Sequence, residues 1–145
     1  MAKKATEKFL VLMVDDSDDD CLMIQMAMSE AERLRFIGSV PNGEEVMAYM
    51  KGAGKYSDRS NFPMPDMMLL DLNMPRKSGF EVLEWLKSQP FDDMVVVVLS
   101  GSEKPEDAKK ALELGANMYQ SKSTNPSKRL ELVKVLEQYL TRDKP

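Results

Sequence analysis

The 145-residue chain contains no histidine and only one cysteine, Cys21. The first absence removes histidine-based triads, histidine metal ligands and phosphohistidine from consideration. The second excludes an intrachain disulfide and a cysteine zinc cluster, and it fits a reducing compartment. Long apolar runs are missing too: none approaches the ~20 residues of a membrane helix. Phe9-Leu10-Val11-Leu12-Met13-Val14 is stopped by Asp15-Asp16, too short for the apolar core of a signal peptide. Basic residues are outnumbered, 20 Lys and Arg against 24 Asp and Glu, and no local basic patch stands out. Neither nucleic acid nor a membrane is therefore an expected partner, and the chain reads as cytoplasmic. Any acid–base or phosphoryl chemistry must rest on carboxylates, lysine, hydroxyls, tyrosine and a carboxylate-bound metal.

What is present suits one domain, residues 1–145, large enough to build a core without covalent staples. Strand patterns fall at Phe9–Val14, Leu34–Val40, Met67–Leu70, Val95–Leu99 and, more weakly, Asn117–Ser121. The third and fourth are nearly continuous apolar runs, as expected of strands covered on both faces of a parallel sheet. Between them lie helical patterns with recognisable starts: Ser17 with Asp20, Asn42 with Glu45, Ser78 with Glu81, and prolines at Pro105 and Pro126, the latter after Asn125. Gly115 suits the end of the fourth helix. Leu130, Val133, Leu136 and Leu140 predict one buried face on the last. Five β-then-α repeats predict an α/β fold, a doubly wound parallel sheet with right-handed crossovers. Gly52–Pro65 is a loop longer than is usual between helix and strand, and residues 1–8 and 143–145 read as frayed ends. The core is expected to span about residues 7–141.

In such sheets ligands sit beyond the carboxyl ends of the strands, at the switch in strand order. The residues at those ends are Asp15-Asp16, Asp71, Ser100 and Lys122. If strands one, three, four and five are neighbours, these residues share one crevice. Two carboxylates ~5 Å apart at an effective dielectric near 20 repel by roughly 3 kcal/mol. Three must hold protons or a cation. An all-oxygen site with open positions suits Mg²⁺. With Lys122 as a fixed positive charge and Ser100 as a hydroxyl donor, the constellation would stabilise a phosphoryl group in transfer. Asp71 is then a candidate aspartyl-phosphate nucleophile.

Four separated segments carry a resemblance in the same order: Val14-Asp15-Asp16; Leu69-Leu70-Asp71-Leu72-Asn73-Met74-Pro75 with Gly79; Leu99-Ser100-Gly101; and Tyr119-Gln120-Ser121-Lys122. Together they resemble the receiver domain of two-component response regulators, over about residues 7–141. The long Gly52–Pro65 loop and Lys122-Ser123 further resemble the stand-alone regulators that partner phytochrome-type histidine kinases. The resemblance implies a flavodoxin-like five-stranded sheet of order 2-1-3-4-5 with five helices on its two faces. It implies Asp71 as phosphoacceptor, with Mg²⁺ bound by Asp16, Asp71 and the Asn73 backbone carbonyl and reached by Asp15 through water. Lys122 would pair with phosphoryl oxygens, while Ser100 and Tyr119 would act as the switch pair. The implied donor is a histidine kinase. The implied output, with no segment left for an output domain, is a partner protein or a homodimer through the face of the fourth helix, fifth strand and fifth helix. On this reading the chain catalyses only its own aspartyl phosphorylation and dephosphorylation. One departure stands out: receivers usually carry a cis proline after the lysine, and here Ser123 follows.

An alternative is a small phosphohydrolase of the haloacid-dehalogenase type, for which Asp16-Ser17-Asp18 offers paired aspartates. That reading leaves the segment from Asp71 to Pro75 unexplained. Several other features have plain structural explanations. Asp18, Asp19 and Asp20 suit the first turn of a helix, where negative charge meets the helix dipole. The thirteen methionines, Met47, Met50 and Met118 among them, suit gap-filling in the core. Trp85 is expected to be half-buried on a helix.

Overall fold

The computed structural model describes residues 7–142, so most of the expected frayed ends, 1–8 and 143–145, lies outside the described residues. Strands β1 (Phe9–Val14), β2 (Leu34–Val40), β3 (Met67–Leu70), β4 (Val95–Ser100) and β5 (Met118–Ser121) form one sheet in the order β2-β1-β3-β4-β5. Every neighbouring pair is parallel. Helices α1 (Asp18–Met28), α2 (Gly43–Lys51), α3 (Gly79–Lys87), α4 (Pro105–Glu113) and α5 (Pro126–Arg142) follow the strands in turn. This is the doubly wound α/β fold with the expected order 2-1-3-4-5. Two boundaries differ by one residue. β4 runs on to include Ser100, and β5 starts at Met118 because Asn117 joins β4 partly through its side chain, Oδ1 accepting from Val96 N–H at 2.8 Å.

The helix starts are set by the residues that mark them in the sequence. Ser17 Oγ accepts from Asp20 N–H at 3.2 Å, and Asn42 Oδ1 accepts from Glu45 N–H at 2.9 Å. Ser78 and Glu81 form a reciprocal capping box. Asn125 Oδ1 accepts from Ser127 N–H at 2.8 Å, just ahead of α5. Gly115 closes α4 with φ +109°, and the Ala116 N–H returns to the Ala111 carbonyl at 3.0 Å, the wrap that follows a left-handed residue.

Side-chain alternation along the strands divides the core into two layers. Leu12, Val14, Met68, Leu70, Val96 and Val98 face α2, α3 and α4 through Val46, Met50, Val82, Leu83 and Ala111. Val11, Met13, Met67, Leu69, Val97 and Leu99 face α1 and α5 through Ile24, Met28, Val133 and Leu136. β3 is buried at every position, as its unbroken apolar run requires. The long Gly52–Pro65 loop packs onto the α2 side of the core. Tyr49, Tyr56 and Phe62 pack with ring centroids 5.1–6.0 Å apart, and Arg59 donates to the Tyr49 and Met50 carbonyls at the end of α2.

Two packing expectations need correction. Leu130 is 51% exposed, so the buried stripe of α5 begins at Val133. Gap-filling describes Met13, Met28, Met50, Met67 and Met68, but Met23, Met26 and Met64 are exposed. Leu136→Ala is expected to lower stability by about 3 kcal/mol, because its side chain is fully buried. Leu130→Ala should stay within about 0.5 kcal/mol of wild type. Urea denaturation of the two variants checks the corrected boundary.

Candidate functional site

Each expected residue reaches the site because its strand stops there. The Asp15 N–H still bonds to Val40 O at 3.0 Å and the Asp71 N–H to Val14 O at 2.9 Å, so the sheet ladder delivers both carboxylates to adjacent strand ends. The Lys122 N–H does the same with Ser100 O at 2.8 Å. One carboxylate oxygen from each of Asp15, Asp16 and Asp71 lies within 4.8 Å of the others. Asp15, Asp71 and Ser100 are buried, whereas Asp16 and Asn73 are exposed.

Lys122 is the centre of charge. Its Nζ lies 2.7 Å from Asp15 Oδ2, 2.8 Å from Asp20 Oδ2 and 3.6 Å from Asp71 Oδ2. Desolvation pulls the ammonium's pKa down, but the contacts with Asp15 and Asp20 and the nearby charge of Asp71 outweigh it and raise the value well above that of free lysine. Lys122 therefore remains charged. At Asp71 burial dominates and raises the carboxyl's pKa above its ordinary value. Lys122 opposes that shift, Asp15 adds to it, and the Asn73 N–H to Asp71 Oδ1 at 3.4 Å opposes it.

The carboxylates fit a divalent cation on a structural criterion. Asp15 Oδ1 accepts from Ser17 N–H at 2.9 Å, and the wholly buried Oδ2 faces only the Lys122 ammonium, 2.7 Å away. With two more carboxylates beside Asp15, an oxygen-preferring cation suits the donor set.

Ser100 and Tyr119 converge on one residue, a connection the spacing alone did not show. The Ser102 N–H donates to Ser100 Oγ at 3.2 Å, and Tyr119 Oη donates to Ser102 O at 3.0 Å. Ser102 Oγ in turn donates to Asp107 Oδ2 in the first turn of α4. The peptide between Lys122 and Ser123 is trans, like every peptide among the described residues. Where receivers usually have a proline, Ser123 Oγ accepts from Asn125 N–H at 3.1 Å and the Ser123 carbonyl accepts from Arg129 at 2.9 Å.

Two features of the site carry no clear sequence signal. Arg76 and Lys77, in the turn after Asp71, are left-handed at φ +49° and +65°. Asp20 belongs to the acidic first turn of α1, as expected, but its carboxylate also turns inward to Lys122. An acidic run at a helix start explains itself, which hides the one member with a partner 102 residues away.

With fold and site in view, the class is defined: the chain belongs to the response regulator receiver domain family, whose model matches residues 11–134. It is 31% identical over 140 residues to the response regulator Rcp1 of Synechocystis sp., covering 96% of this chain and 93% of the relative. The crystal structure of the phosphorylated cyanobacterial phytochrome response regulator RcpA superposes with a TM-score of 0.82 at 34% identity, covering 95% of this chain and 97% of that one. The Mn²⁺-bound form of Rcp1 gives 0.76 at 30% identity, covering 94% and 97%. Membership supersedes the haloacid-dehalogenase alternative, and it accounts for the Asp71 segment that alternative left unexplained. Among the described residues no helix is long and apolar enough to cross a membrane.

Gly79 holds α3 against the Asp71 loop, its N–H bonding to Leu72 O at 3.0 Å. A Cβ there would lie 2.7 Å from Leu72 Cα and closer still to the Asp71 carbonyl oxygen. Gly79→Ala is expected to cost about 3 kcal/mol, since the obstacle is backbone and cannot rotate away. Chemical denaturation measures the loss, and an unchanged midpoint would contradict this packing.

Proposed function

We propose that this chain is a single receiver domain acting as a phosphorylation switch, with Asp71 as its phosphoacceptor. The convergence of Asp15, Asp16, Asp71 and Lys122 at one strand-end crevice carries this reading. The donor is the phosphohistidine of a partner kinase. An Asp71 carboxylate oxygen attacks phosphorus, the O–P bond forms as the P–N bond breaks, and the imidazole leaves with the electron pair. Water later attacks phosphorus, releasing phosphate and restoring the carboxylate.

Lys122 supplies the fixed positive charge that the incoming oxygens need, at no reorganisation cost because it is already held beside Asp71. Asp16, Asp71 and the Asn73 carbonyl, with Asp15 through water, would hold Mg²⁺. That ion would neutralise charge on the transferring oxygens. Ser100 and Tyr119 are the switch pair, and their shared bonds to Ser102 support a concerted rearrangement of the β4–α4 loop. The chain thus catalyses only its own phosphorylation and dephosphorylation.

The kinase is of the phytochrome type, a reading supported by the similarity to RcpA, a cyanobacterial phytochrome response regulator. The output is a changed surface on α4, β5 and α5, engaging a second copy or a downstream protein. The exposed Leu112 on α4 supports that surface.

Incubation with acetyl phosphate and MgCl₂ should add one phosphoryl group to the wild type, seen by intact-mass spectrometry. Asp71→Asn should stay unlabelled, and EDTA should abolish labelling. Label on Asp71→Asn would overturn the assignment. Light scattering with and without beryllofluoride should show an increased mass, or an increased affinity for a candidate partner. No change in either would contradict the output route.

A further inference from the structure

Lys122 has two carboxylate anchors in direct contact, and the one on α1 lies outside the receiver machinery described above. An ammonium offers three N–H donors. Asp15 Oδ2 lies below it at 2.7 Å and is fully buried; Asp20 Oδ2 lies at 2.8 Å with a side chain 44% exposed. Asp71 Oδ2, at 3.6 Å, is beyond hydrogen-bond reach. Two contacts on two different elements therefore fix the end of a long, otherwise mobile side chain, and the remaining donor is left for an oxygen attached to Asp71.

We infer that Asp20 is a positioning residue for phosphotransfer, holding the Lys122 ammonium at the place where the phosphoryl oxygens arrive. Asp20 touches no reacting atom. Its contribution is to remove in advance the rotamer freedom that Lys122 would otherwise lose on binding the phosphoryl group. Its backbone is fixed independently, because its N–H is the one bonded by Ser17 Oγ. The side chain can thus reach Lys122 from a rigid helix start. The other anchoring of this segment, through the Ser123 hydroxyl and the Arg129 guanidinium, does not touch the ammonium.

The inference rests on Asp71 being the phosphoacceptor, so the test has an arm independent of phosphotransfer. The initial rate of labelling by acetyl phosphate with MgCl₂ is measured by intact-mass spectrometry on the full chain. Asp20→Ala is expected to be labelled about two- to fivefold more slowly than wild type, the range set by a half-exposed ion pair. Asp20→Glu should recover most of the rate. In a Lys122→Gln background, Asp20→Ala should cause no further loss, whereas a merely structural cap would cost the same in both backgrounds. An equal or faster rate for Asp20→Ala, or a loss that persists without Lys122, overturns the inference. If Asp20→Ala does not fold, Asp20→Asn should show a loss of about twofold and is judged in the same way.

The independent arm follows the Lys122 side-chain ammonium by ¹⁵N NMR. Its signal should be protected from water exchange in wild type and weakened by Asp20→Ala. If wild type takes no label yet this signal depends on Asp20, the phosphoacceptor reading alone fails. If the signal is indifferent to Asp20, the positioning role fails whatever the labelling shows.

Discussion

Asp15 is a carboxylate with no side-chain exposure, and it is tolerable there because the Lys122 ammonium lies 2.7 Å from Oδ2 and the Ser17 N–H donates to Oδ1. A buried charge without a partner costs several kcal/mol, and removing one member of such a pair leaves the other stranded. The rest of the site follows from this contact. Asp15 ends β1 and Lys122 follows β5, so the pair spans the sheet between strands that are not neighbours. The order β2-β1-β3-β4-β5 puts β3, and with it Asp71, between the two strands that the bridge joins. The concentration of negative charge at Asp15, Asp16 and Asp71 opposes folding taken alone, and the lysine offsets part of it through its contacts with Asp15 and Asp71.

Much of this was readable in the sequence because it depends on local rules. Buried strands appear as unbroken apolar runs at Met67–Leu70 and Val95–Leu99, and the caps at Ser17, Asn42 and Ser78 all place their side chains where the spacing predicts. The strand-end residues were identifiable because a doubly wound sheet exposes them at one edge. What escaped depends on geometry between distant segments. Leu130 carries the correct helical spacing, yet its side chain is exposed, because burial needs a neighbour to pack against and spacing along one helix does not supply it. Arg76 and Lys77 adopt left-handed conformations without the glycine or asparagine that would announce them. Asp20 looks like its acidic neighbours until the chain returns Lys122 to it.

The segment after Lys122 shows how one structural task can be met by different chemistry. A proline fixes a backbone by its ring; here Ser123 caps the turn with its hydroxyl, and Arg129 reaches back from α5 to its carbonyl. Hydrogen bonds hold the lysine's loop to the helix that follows it. Arg129 also lies 3.7 Å from the Met23 sulfur of α1, so the same guanidinium ties α5 to the helix that carries Asp20.

The sheet is unequal in stiffness from one side to the other. β3 sits between two strands and is buried throughout, whereas β5 has four residues, a single neighbour and no fully buried position. Elements with little buried apolar surface open at the lowest free-energy cost. Tyr119 thus lies on the least buried strand of the sheet while Asp71 follows the most deeply buried one, so local opening at the outer margin costs less than any opening beside Asp71.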